Sequence, residues 1–323
     1  MKVWKPLGLA IAGSAIALSL INASWIAPTP KGQLVLVARR GLGPQPAGGE
    51  VRADGCAATR IAPPGDNFYI GNSLPSFFRA MRMGADAIEV DVRRTRDNQA
   101  VLFRDETLEC RTNGRGAVGN HDLAALKALD IGFGYTADGG KTFPFRGRGI
   151  AGMPTVEEAL RETPKLRFIF NLPGGDPADA DALVAAFARA GREIDGKYSF
   201  RGNPKVVGRL KALVPSAWTW DAAAPQTCLA DYSKIGWTSF VPESCRNVTI
   251  IIPVDQQWSI WGWPNRFQAR MAGANSKVMV VEAVNGADVT GLTRVEQIDD
   301  VPRDFRGYLW IEDFATVGSA VRR

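Results

Sequence analysis

Short apolar runs recur along the chain, with amphipathic stretches between many of them. LVLVA (34–38), DAIEVDV (86–92), AVLFR (100–104), LRFIFNL (166–172), AWTW (217–220), VTIIIP (248–253), KVMVVEAV (277–284) and GYLWIED (307–313) read as strands. Most are near-continuously apolar, as expected of strands buried on both faces. Helical spacing marks 74–84, 155–163 and 180–191, the last closed by Gly191. Thr155 followed by Glu158 forms the Thr-x-x-Glu pattern of a capping box and opens its helix. Strand–helix alternation over this length predicts an α/β fold, a TIM-type (β/α)8 barrel, with a doubly wound sheet as the second choice. Residues 42–70 and 105–153, rich in Gly, Pro, Arg and Asn, read as long loops over one face. The barrel domain is assigned to 31–323, with an inserted loop region at about 105–153.

Residues 1–30 follow a different pattern. Lys2 and Lys5 precede an uncharged stretch from Leu7 to Ala27. At ~1.5 Å of rise per residue, a helix of that length just spans a hydrocarbon core ~30 Å thick. The small-residue pairs that signal cleavage are poor: Asn22 before Ser24, Ile21 before Ala23, Trp25 before Ala27. An uncleaved signal anchor is therefore expected, placing 31–323 on the periplasmic or extracellular side. A cleaved signal peptide and a secreted domain come second.

Composition sharpens this picture in three places. Lys and Arg number 39 against 33 Asp and Glu, a charge of +6, but the excess is spread along the chain and gives no case for nucleic acid. There is one histidine, His121, so paired-imidazole chemistry and His-rich metal sites are excluded. The four cysteines suit an oxidising compartment. They allow three connectivities, of which Cys56–Cys110 and Cys228–Cys245 are favoured because each staples a loop-rich stretch.

Barrel enzymes carry their chemistry at the C-terminal ends of the strands. Those ends hold Arg39, Arg40 and Gly41 after the first strand, Glu89 and Asp91 on the second, Arg104 and Asp105 after AVLF, and Asn171. Glu89 and Asp91 are two apart on a strand, so both carboxylates point to one face and need a metal or cationic partners.

These residues carry a resemblance. VARRG (37–41), GNSLPSFFRAMRMGADAIEVDV (71–92), VLFRDETLECRTNGRG (101–116), LAALKALDIG (123–132) and MPTVEEAL (153–160) are similar to segments of the glycerophosphodiester phosphodiesterase family. KVMVVEAVN (277–285) and FRGYLWIEDF (305–314) resemble its last two strands. The resemblance implies a barrel and metal-assisted hydrolysis of glycerophosphodiesters to glycerol 3-phosphate and an alcohol. The departures fall on the chemistry. The first catalytic histidine position holds Arg39 and the second holds Arg104. The glutamate of the family's Glu-Asn-Thr is Gly71, and its Glu-x-Lys reads Asn171-Leu172-Pro173. Arg40, Glu89, Asp91 and Asp105 are kept.

Arginine neither accepts nor readily donates a proton at neutral pH. General acid–base catalysis is worth roughly 10²–10⁴-fold per group, so two such losses remove most of the acceleration. Glu89 and Asp91, with Asn171 as third ligand position, leave at most a weak Mg²⁺ or Ca²⁺ site. The expected arrangement has Arg39 and Arg104 neutralising Glu89 and Asp91, with Arg40 free for an anion. The resulting reading is an envelope protein of impaired catalysis that binds phosphodiesters or phospholipid headgroups through Arg39, Arg40 and Arg104. The alternative is an active metal-dependent phosphodiesterase with a rearranged acid and base.

Two features stand apart. His121 reads as a solvent-side residue at a helix start. Trp258, Trp261 and Trp263 read as a rim plug packed beneath loops, with a membrane-interface role as the alternative.

Overall fold

The computed structural model describes residues 16–321, apart from 48–55, 57–58, 65–66, 222 and 287. The strands are β1 (Val35–Arg39), β2 (Ala87–Arg94), β3 (Ala100–Leu102), β4 (Arg167–Leu172), β5 (Tyr198–Gly202), β6 (Trp218–Trp220), β7 (Thr249–Pro253), β8 (Lys277–Val281), the paired β9 (Ala283–Asn285) and β10 (Asp288–Thr290), and β11 (Tyr308–Ile311). Helices α1 (Leu74–Arg82), α2 (Leu123–Lys127), α3 (Val156–Glu162), α4 (Ala178–Arg189), α5 (Pro204–Leu213), α6 (Ala223–Ile235) and α7 (Asn265–Gly273) alternate with them. β1, β2, β4, β5, β6, β7, β8 and β11 are the eight parallel staves of a TIM-type (β/α)8 barrel.

The chain divides into two compact units. The larger comprises Leu36–Asp221, Thr290–Val295 and Trp310–Arg323. Its strands lie in the order β6-β5-β4-β2-β1, each neighbouring pair parallel. Outward-facing Phe170 and Phe200 stack with centroids 5.5 Å apart, and Phe187 of α4 meets Phe170 edge-on at 5.5 Å. Because strand side chains alternate, this apolar layer turns Ile169, Asn171, Ser199 and Arg201 to the opposite face. The capping box forms as predicted: Thr155 Oγ1 accepts from the Glu158 amide, and the Glu158 carboxylate accepts from the Thr155 amide.

One predicted stave is not a stave. AVLFR supplies β3, which pairs antiparallel with the end of β2. Its apolar run is explained by a second core under the loops, where Val101 and Phe103 pack with Leu108, Val118, Ile131 and Phe145. The 105–153 loop region is thus held by its own hydrophobic cluster, and by the Cys56–Cys110 disulfide.

The smaller unit comprises the chain up to Val35, Ala222–Val289 and Glu296–Leu309. Within it β7 pairs parallel with β8, and the first residues of β11 pair parallel with β8. Cys228 of α6 is bonded to Cys245. The tryptophan plug is only partly present. Trp263 packs on Phe267 and Phe305, whereas Trp258 and Trp261 are exposed. Of the Leu7–Ala27 stretch, 16–22 is helical and Ser24–Ile26 forms a 3-10 turn, while 7–15 lie outside the described residues. Among the described residues no helix is long and apolar enough to cross a membrane.

Candidate functional site

The site lies wholly in the larger unit, at the C-terminal ends of its strands. Arg39 ends β1, and the chain turns at once through Arg40 at φ 59° and Gly41 at φ 78°. A Cβ on Gly41 would meet Ser76 Oγ at 2.6 Å, so the turn requires glycine there. The Arg40 amide donates to the Glu89 carbonyl, and its own carbonyl accepts from the Asn72 amide. These bonds hold the Arg40 side chain over β2.

Four strands place one lateral row of side chains. Asp91 of β2 is in register with Asn171 of β4, which is in register with Arg201 of β5, itself beside Trp220 of β6. Glu89 and Asp91 are both buried, at 1% and 3% exposure. Each oxygen of Asp91 is taken. Oδ2 accepts from Arg40 Nε at 2.7 Å and Asn72 Nδ2 at 3.1 Å, and Oδ1 accepts from Asn171 Nδ2 at 2.7 Å. Glu89 Oε1 faces Arg201 Nη1 at 4.0 Å, and Glu89 Oε2 has no hydrogen-bond partner among the described residues. Arg201 lies between the Trp310 and Trp220 rings, 5.0 and 5.5 Å from their centroids.

The arginines do not pair as the sequence suggests. Arg39 bonds Glu312, Nη1 to Oε2 at 2.6 Å, and Arg40 takes Asp91. Arg111 takes Asp105 at 2.5 Å and also donates to the Tyr135 hydroxyl. It is the Arg104 guanidinium that is left without an ion pair or hydrogen bond among the described residues; only its carbonyl is engaged, by Arg93. The reason is steric order. The left-handed turn carries Arg40, not Arg39, over Asp91, and Glu312 after β11 captures Arg39.

Electrostatics follow from that order. Arg40, burial, Arg111 and Arg39 together push Arg104 down to about 9, the mark of a cation among cations. Burial opposes ionisation of Asp91, but Arg40, Arg104 and Arg39 outweigh it and hold the carboxyl well below the usual range. Glu89 moves the other way, up to about 6, because burial and the neighbouring Asp91 outweigh Arg201. A cleft lined by Arg39, Arg40, Arg104, Arg111, Tyr135 and Glu312 opens over these groups. Within it Arg40 Nη2 and Arg39 Nε are buried donors with no acceptor among the described residues.

The residues present do not fit a divalent cation. Both Asp91 oxygens already accept hydrogen bonds, Asn171 turns its amide nitrogen to Asp91, and Arg201 stands against Glu89. Among the described residues no cluster of three His, Cys, Asp or Glu side chains could hold one. Glu89, Asp91 and Asn171 are therefore brought together as the sequence suggests, but around guanidinium groups.

Sequence reasoning missed Arg201 and Glu312. Arg201 lies in YSFRG, a run too short and too polar to read as a strand. Glu312 lies in the recognised GYLWIED run, one residue past β11, and its position at a strand end was the available signal. His121 lies away from the cleft, its Nε2 2.9 Å from the Arg115 carbonyl.

Residues 63–195 match the model of the glycerophosphoryl diester phosphodiesterase family. The glycerophosphodiester phosphodiesterase of Bacillus subtilis is 33% identical over 138 residues, 41% of this chain and 45% of that relative. The chain matches less than two thirds of the length of the first curated relatives. The glycerophosphoryl diester phosphodiesterase domain of a Mycobacterium tuberculosis protein superposes with a TM-score of 0.62 at 15% identity, covering 90% of this chain and 100% of that one. An Oleispira antarctica phosphodiesterase, solved with the product sn-glycerol-3-phosphate, gives 0.58 at 17% identity, covering 93% and 100%.

Proposed function

The chain belongs to the glycerophosphoryl diester phosphodiesterase family, and from that premise we propose that this member captures phosphodiester or phospholipid-headgroup anions at an arginine-lined barrel mouth without hydrolysing them. One observation carries the reading: the Arg104 guanidinium stands in the cleft with no acceptor among the described residues, repelled by Arg40, Arg111 and Arg39. A phosphate oxygen pair relieves that repulsion and satisfies the buried donors of Arg40 and Arg39 in the same step. sn-Glycerol 3-phosphate, held by the Oleispira relative, has the matching chemistry. Hydrolysis lacks its proton carriers, because the positions that resemble the family's histidines are Arg39 and Arg104, cations that hold their protons at neutral pH. Two disulfides suit an extracytoplasmic setting in the envelope.

The test uses the full chain with glycerol 3-phosphate and with glycerophosphocholine, each with Mg²⁺, Ca²⁺ or EDTA. Thermal unfolding and choline release are both followed. The expected result is a rise in Tm with either ligand, unaffected by EDTA, and choline release no faster than in Glu89→Ala. Metal-dependent release that Glu89→Ala abolishes would establish an active phosphodiesterase instead. No Tm shift at millimolar ligand would leave a protein without this ligand.

A further inference from the structure

We propose that the smaller unit carries a docking face for a lipid bilayer: an aromatic collar around the root of the N-terminal apolar segment. The inference is independent of what the barrel mouth binds.

Five large aromatics of this unit are open to solvent. Trp258 is 85% exposed, Trp25 81% and Phe240 60%, and Trp237 and Trp261 are each about 40% exposed. The segment that carries Trp25 and the turns that carry Trp237, Phe240 and Trp261 are gathered around one side chain, Arg270 of α7. Its Nη1 donates to Asn22 Oδ1 at 3.1 Å, to the Tyr232 hydroxyl at 2.7 Å and to the Gly236 carbonyl at 3.0 Å. Its Nη2 donates to the Ile21 carbonyl at 3.1 Å and to Ser239 Oγ at 2.7 Å. From this hub the collar is tied down piece by piece. Asn22 Nδ2 donates to the Trp237 carbonyl, and the Tyr232 hydroxyl donates to the Trp261 carbonyl. Ser24 Oγ, next to Trp25, accepts from the Asn265 amide. The last helical residues of the N-terminal segment and the turns bearing Trp237, Phe240 and Trp261 therefore share one anchorage.

The occupant is argued from two facts. The indole N–H groups of Trp237 and Trp261 are spent on the carbonyls of Lys234 and Ser233, which leaves both rings without a free N–H donor. Exposed indole rings are the side chains enriched at the headgroup level of a bilayer, and with their N–H groups satisfied these two present apolar faces. The chain entering the collar is also apolar: Ile16, Leu18, Leu20 and Ile21 are exposed, and residues 7–21 contain no charged side chain. A protein partner explains the collar but not the uncharged run that leads into it; a bilayer explains both.

The experiment reconstitutes the full chain into phosphatidylcholine–phosphatidylglycerol vesicles whose acyl chains carry bromine near the headgroup. Four of the nine tryptophans are exposed in this unit. Bromolipid should quench a substantial part of the emission, and Trp25→Gln/Trp258→Gln should cut that quenching at least twofold. Both side chains are exposed, so the variant should keep the wild-type melting profile. Vesicle-bound protein whose emission is equal in brominated and ordinary lipid would overturn the proposal, because the segment would be inserted with the collar in water. Shielding from aqueous acrylamide that appears without vesicles and grows with protein concentration would also overturn it, assigning the face to a second copy.

Discussion

At the residue scale, Arg104 and Glu89 are both held against their ordinary chemistry, and each yields a measurement. Arg104 has no ion-pair partner among the described residues and lies beside Arg40 and Arg111, so removing it relieves repulsion in the cleft while deleting a ligand donor. Arg104→Ala should leave the ligand-free Tm unchanged or raise it, and should abolish the shift produced by glycerol 3-phosphate. A lowered ligand-free Tm would mean that Arg104 is structural. Glu89 gives a pH dependence. Its carboxyl is raised from 4.5 to about 6, so the fold favours the protonated acid. That contribution is fully present below the ordinary carboxylate range and is lost as pH rises through about 6. A displacement of this size corresponds to about 2 kcal/mol, or several °C in Tm for a chain of this length. Between pH 5 and pH 8, Glu89→Gln should therefore lose less Tm than the wild type; equal slopes would show that Glu89 ionises without penalty.

At the element scale, the staves with long apolar runs were legible, because burial on both faces writes itself into β1, β2, β4, β7, β8 and β11. The three-residue β6 was read from AWTW, but β5, as long as β1, was not. β5 has only Tyr198 and Phe200 facing the helices, and its other face carries Ser199 and Arg201, so no run of hydrophobic residues marks it. β3 was misplaced for the opposite reason: its continuous apolar run serves the loop cluster rather than a second barrel face. The pairing of the arginines was beyond a linear reading altogether, since it depends on Arg40 adopting a left-handed turn. Gly202 closes β5 at φ 145°, and a Cβ there would lie 2.1 Å from the Leu172 carbonyl oxygen. Gly202→Ala should cost at least ~2 kcal/mol and lower the urea midpoint with little change in slope. It should also weaken ligand binding, because the strand that positions Arg201 is the one displaced. Wild-type stability in this variant would show that the β4–β5 edge yields without strain.

At the scale of the whole molecule, the proposal of capture without hydrolysis raises the question whether two histidines alone would make the difference. On the proposed reading the departures from the family's residues form a set. Arg201 stands against Glu89, Asp91 accepts from Arg40, Asn72 and Asn171, and position 71 is a glycine whose Cβ would come within 3.1 Å of the Arg40 Cβ. Arg39→His/Arg104→His therefore restores proton carriers beside carboxylates that still have no room for a cation. That double variant should release no more choline from glycerophosphocholine than the wild type, with or without Mg²⁺ or Ca²⁺. Adding Asn171→Glu and Arg201→Leu supplies a third carboxylate and removes the opposing guanidinium. Three clustered carboxylates repel one another until a divalent cation arrives, so this quadruple variant should melt lower than the wild type in EDTA and gain several °C on adding Ca²⁺. Metal-dependent turnover in the double variant alone would show that the carboxylate pair already accepts a cation, and that Arg201 yields its place to one.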